Sequence, residues 1–141
     1  MIAMDNSYSK LRNFYANFIN PDAIKTFVRE KLGCKCEDSV FDQIVIGMPS
    51  IFPGENPGWD MQIMIGFRLL ISFAAVERLK SVNEDIVKML QAGKEIRDKN
   101  GLNRFRLILL GEVNKELYEA CQKKTQELDD KIHIHVIEIY K

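Results

Sequence analysis

Residues 60–75 read DMQIMIGFRLLISFAA, and the pattern of this stretch decides the fold. Met61, Ile63, Ile65, Phe67, Leu69, Ile71 and Phe73 alternate, so in an extended chain they share one face. Met64, Leu70 and Ala74 keep the opposite face apolar as well. A strand apolar on both sides belongs inside a sheet that is covered twice. The spacing predicts one long strand over 61–74, with Gly66 as a point where it bends or bulges.

On the C-terminal side, strand and helix patterns alternate. Residues 81–101, SVNEDIVKMLQAGKEIRDKNG, bring Ile86, Met89, Leu90, Gly93 and Ile96 to one helical face, with Ser81 or Asn83 as cap and Gly101 beyond the end. NRFRLILLGE (103–112) is a strand, and residues 113–130 form a helix that buries Leu117, Ala120, Cys121 and Leu128. KIHIHVIEIYK (131–141) is a last strand. Strands joined by helices of this length take right-handed crossovers to parallel neighbours. Before the opening stretch, IVIGM (44–48) makes a short strand and PSIFPGENPGWD (49–60) a loop that cannot pair internally.

The first 43 residues are helical in pattern. Leu11, Phe14, Tyr15 and Phe18 make one stripe, with Ser9 as its cap. Asn20 caps a second helix that has Pro21 at its first position and Ile24, Phe27, Val28 and Leu32 on its inner side. Gly33 is the left-handed stop, and Val40, Phe41 and Ile44 form one side of a helix of two turns. The expected fold is α/β: N-terminal helices followed by a four-stranded mixed sheet in ββαβαβ order with helices on both faces. One domain spans 1–141, with a helical preface at 1–43 and the ββαβαβ unit at 44–141. The strands fall near 44–48, 61–74, 104–111 and 132–139, the first an antiparallel edge.

The chain has 141 residues, 46% of them hydrophobic, enough for a core of its own. Twenty basic and twenty acidic residues cancel, which argues against nucleic acid as a partner. The first ten residues lack the charge and apolar run of a leader, and the longest apolar run, LLISFAAV, is too short to cross a bilayer. The expectation is a cytoplasmic protein with no membrane association. Three cysteines, an odd number, argue against a secreted disulfide framework and for reduced thiols. The uncovered stripe of the first helix suggests a homo-oligomer, in the simplest case a homodimer.

Four groups of residues could carry chemistry. Cys34 and Cys36 form a CxC corner between two helices. A thiol at the start of the second helix would meet free N–H groups and Lys35, which favour the thiolate, whereas Glu37 and Asp38 oppose it. Two small, half-buried packing residues are the alternative reading. His133 and His135 alternate on the last strand and share a face, so they could join the cysteines around zinc or stand apart as edge residues. Arg104 and Arg106 lie on one side of a strand opposite Phe105, and Arg68 on a neighbouring strand could converge with them on a phosphate or carboxylate. Asp60, Glu77, Asp98 and Glu138 are available to pair with them instead, and chain neutrality favours that pairing. Phe52 and Trp59 in the Pro-rich loop are either a lid or a contact surface.

VREKLGCKCEDSVF, followed by IGFRLLI and NGLNRFRLIL, resembles a family of small uncharacterised prokaryotic proteins with an LGCxCP-like corner and an NRFR-like strand start. Where that pattern has proline after the second cysteine, this chain has Glu37, also a good first helical residue. The resemblance brings no activity with it. No complete catalytic signature, cofactor motif or Gly-rich phosphate loop is present, and whether a reaction is catalysed stays open. The sequence points to a small binding or regulatory module with an unspecified small-molecule ligand. The competing reading is a thiol-dependent metal-binding or redox protein using Cys34 and Cys36.

Overall fold

The computed structural model describes residues 6–16, 18, 20–35, 37–47, 60–79 and 81–138. Its elements are α1 (Asn6–Ala16), α2 (Pro21–Glu30), a 3-10 turn (Asp38–Asp42), β1 (Ile44–Gly47), β2 (Met61–Ile65) and β3 (Leu69–Ala75). A short 3-10 turn (Val76–Arg78), α3 (Val82–Lys99), β4 (Arg104–Leu110), α4 (Lys115–Leu128) and β5 (Ile132–Ile137) follow. One mixed sheet holds five strands in the order β1-β2-β3-β4-β5. The β1/β2 and β2/β3 pairs are antiparallel, while β3/β4 and β4/β5 are parallel.

The expected four strands are therefore five, because the run at 61–74 is a hairpin. Gly66 and Phe67 both have positive φ, 60° and 54°, and the Arg68 amide donates to the Ile65 carbonyl at 3.0 Å. Consecutive positive φ values are the mark of a primed hairpin turn, whose twist matches that of its strands. Three residues separate β2 from β3, an odd number, so the alternation continues across the turn. Met61, Ile63, Ile65, Leu69, Ile71 and Phe73 all enter the same core layer. Phe67 does not. It sits at the tip and is 61% exposed, against the expectation that it faces inward.

β3 is buried at every position, as two-sided apolarity requires. On one face, α1 and α2 pack over β2, β3 and the C-terminal half of β4, where Ile108 and Leu110 complete the layer. On the other, α3 and α4 cover Leu70, Ala74, Phe105, Leu107, Leu109, Ile132 and Ile134. Gly93 of α3 lies against the Phe105 ring so closely that a Cβ there would overlap it. The α1 stripe packs on its own sheet: Leu11 and Phe18 are buried, and the Phe14 and Phe18 rings lie 6.0 and 5.2 Å from the Phe73 ring. That packing removes the uncovered stripe from which self-association was argued.

Local signals hold at several termini. Asn20 Oδ1 accepts from the Asp22 amide at 2.8 Å, with Pro21 opening α2. Asn114 Oδ1 accepts from the Leu117 amide at 2.7 Å to start α4. Gly33 has φ 67°, which a non-glycine residue adopts at a cost. α1 begins at Asn6, upstream of the expected cap Ser9, and the two-turn helix after the CxC corner is the 3-10 turn Asp38–Asp42. Among the described residues, no helix is long and apolar enough to cross a membrane.

Candidate anion-binding cleft

The hairpin tip is fastened to the start of β4. The Arg68 carbonyl accepts from the amides of Asn103 at 2.7 Å and Arg104 at 3.0 Å. The tip is also held from the preface side, where the Gly66 amide donates to the Gln43 carbonyl at 2.7 Å and leaves no room for a side chain against Val40. The corner after α2 reaches the same place, with the Cys34 amide donating to the Val28 carbonyl at 3.2 Å.

These three pieces enclose a cleft of about 480 Å3. Leu32, Val40 and Leu69 give it apolar walls, and Lys35, Arg68, Arg104 and Arg106 bring four cationic side chains to it. Asn103 adds a carboxamide whose Oδ1 accepts from Lys131 Nζ at 3.1 Å. Among the described residues, no acidic side chain lines it. Arg68, Arg104 and Arg106, the candidate anion-binding residues of the sequence, all line it.

The acids that might have neutralised them are engaged elsewhere. Asp98 pairs with Lys94 and Arg97, and Asp60 accepts from the Tyr15 hydroxyl at 2.8 Å and the Ala75 amide at 3.3 Å. Glu77 and Glu138 have other partners. Asp38, close in sequence to the corner, is taken by Lys25 at 2.8 Å and Arg29 at 2.7 Å; their hydrogen bonds hold its carboxyl below the usual range. Among the described residues, no ion pair reaches Arg68, Arg104 or Arg106, which overturns the expected pairing with acids. Arg106 is half-buried, and loss of solvent followed by repulsion from Arg104 lowers its pKa.

The histidines stand on the same side of the sheet as this cluster. His133 is the register partner of Arg106 and His135 that of Ile108, so both share the face that carries Arg104 and Arg106. His133 is exposed, with Nε2 3.1 Å from the Asp130 carbonyl. Desolvation and then Arg106 lower its pKa. His135 is half-buried, its Nε2 has no hydrogen-bond partner, and burial, Arg106 and His133 push its pKa down to about 4.

Cys34 lines the cleft and is disulfide-bonded, whereas Cys121 is free and buried in the α3/α4 core layer. The expectation of reduced thiols thus holds at Cys121 and fails at Cys34, which offers no thiolate to a metal. Among the described residues, no group of three or more His, Cys, Asp or Glu could hold a metal ion. Cys36, Phe52 and Trp59 lie outside the described residues. Lys35 and Asn103 escaped the sequence reading because their role depends on which loops meet; the only local hint was Lys35 in the CxC corner.

Comparison with family models, with curated proteins and with solved structures finds no match for this chain. The functional reading therefore rests on the geometry of the cleft.

Proposed function

We propose that the protein is a binding or regulatory module that captures a small oxyanion, a phosphate or carboxylate, in the cleft between the Cys34 corner, the 66–68 turn and β4. The observation that carries this reading is four cationic side chains, Lys35, Arg68, Arg104 and Arg106, lining one cleft with no acidic residue among the described residues of its walls. Cations held together without counter-ions repel one another, and an oxyanion relieves that repulsion while accepting charge-assisted hydrogen bonds. Guanidinium groups suit such a ligand because their planar forks match carboxylate and phosphate edges. Calorimetric titration with inorganic phosphate at low salt tests the reading. Saturable binding with a dissociation constant of about 1 mM or tighter, abolished in Arg104→Ala/Arg106→Ala, is expected. No saturation up to about 10 mM phosphate would overturn it.

A second reading is favoured by the position of Cys34, disulfide-bonded at the wall of a cationic cleft. A thiol released there by an external dithiol would be held as thiolate by the neighbouring cations, the setting of redox-active cysteines. Thiol titration before and after mild reduction separates the readings: a native-state thiol reacting fast near neutral pH supports the redox role, and an inert one removes it. For self-association, the supporting surface is the edge strand β1, where Val45 and Ile46 are exposed. Light scattering on dilution tests it.

A further inference from the structure

The row of nitrogen-bearing side chains does not stop at the cleft. Arg106 lines the cleft and is also the register partner of His133, with His135 two residues further along the same face of β5. Neighbouring strands lie roughly 5 Å apart and alternate residues roughly 7 Å apart, so the imidazoles continue the guanidinium row at the spacing of a second acidic group on one small molecule. The preface core layer takes up Ile108 and Leu110 of β4, whereas Arg104 is exposed and Arg106 half-buried. His135 Nε2 is buried and has no hydrogen-bond partner among the described residues.

We infer, building on the oxyanion reading above, that the ligand carries two acidic groups, as a bisphosphate or diphosphate does. One group sits among Arg68, Arg104 and Arg106, and the other is received by His133 and His135. The charged groups acting on His135 are Arg106 and His133, both unfavourable to its protonation; on His133, Arg106 and Arg104 oppose protonation while Asp130 favours it. A second anion at the imidazoles reverses that balance. Binding of the two-headed ligand then takes up protons, and its affinity rises as pH falls toward the histidines' range.

The test uses sulfonates, whose charge is constant over the pH range, so that any pH dependence belongs to the protein. Methanesulfonate and propane-1,3-disulfonate are titrated at pH 5.5 and pH 8, with the imidazole signals followed by NMR. The inference expects the disulfonate to bind about tenfold more tightly than the monosulfonate at pH 5.5, the advantage to vanish at pH 8, and His133→Gln to erase it at pH 5.5. It also expects the disulfonate alone to raise the His135 pKa in the native protein, a readout that needs no variant. Equal affinities at pH 5.5 with saturable monosulfonate binding would overturn the two-headed ligand and leave the cleft reading standing. Failure of both sulfonates to bind would overturn the cleft reading and this inference with it.

Discussion

The backbone carbonyl of Arg68 accepts a hydrogen bond from the amide of Arg104 at 3.0 Å, which ties the hairpin tip to the start of β4. Because the tie is made by backbone atoms, it survives loss of either guanidinium. Among the described residues their side chains have no ion pair, and Arg104 repels the half-buried Arg106. Replacing half-buried Arg106 with Met should accordingly raise stability by about 0.5 to 1 kcal/mol in urea denaturation while weakening phosphate binding about tenfold. Loss of stability in Arg106→Met would show that the guanidinium has a structural role instead.

Phe67 occupies a left-handed conformation at φ 54° and is 61% exposed, so it bears backbone strain with little burial to offset it. Phe67→Gly should stabilise the protein by about 1 kcal/mol, and Phe67→Ala, which keeps a Cβ, should not. Paired thermal unfolding curves check this. A destabilised glycine variant would mean that the ring makes contacts that hold the turn.

Gly93 and Phe105 make the opposite case, in which a glycine is required by its neighbour. In an exposed helix, Gly→Ala stabilises by about 1 kcal/mol. Here the added methyl would overlap the Phe105 ring, so Gly93→Ala should destabilise by about 1 to 3 kcal/mol. Adding Phe105→Leu should recover part of the loss, and a double-mutant cycle measures the coupling.

The Arg97–Asp129 pair links α3 to the turn before β5, with Nη2 2.5 Å from Oδ2 and the arginine buried. Arg97 donates to the Asp129 carboxylate, the Lys131 amide adds a second bond, and together they hold its pKa at about 2 against 3.8 for the free group. A depressed carboxylate pKa stabilises the fold above the unfolded value and loses that contribution as pH falls. Roughly 2 kcal/mol should disappear between about pH 4 and pH 2. Asp129→Asn should lower stability at pH 7 by a similar amount and flatten the dependence in that window. Denaturation midpoints across the acid range report both.

The α/β class, helices on both faces, the cap Asn20 and the inward set Met61 to Phe73 follow from local pattern, because alternation and capping involve residues a few positions apart, although the same alternation wrongly placed Phe67 inward. The same alternation could not distinguish one strand from two, since a three-residue turn preserves its parity. A run of fourteen residues is longer than most strands, and that length is the one local signal by which a hairpin could have been told from the single strand expected. Only the fold decided that Arg68 stands beside Arg104, that Lys35 and Cys34 close the same cleft, and that no acid among the described residues pairs with the arginines. Asp60 is committed to Tyr15 across 45 positions and Asp129 to Arg97 across 32, and such long-range pairings determine which charges remain unneutralised. Composition records twenty charges of each sign, but electrostatic energy depends on distance and solvent, so a neutral chain can still concentrate positive charge in one place.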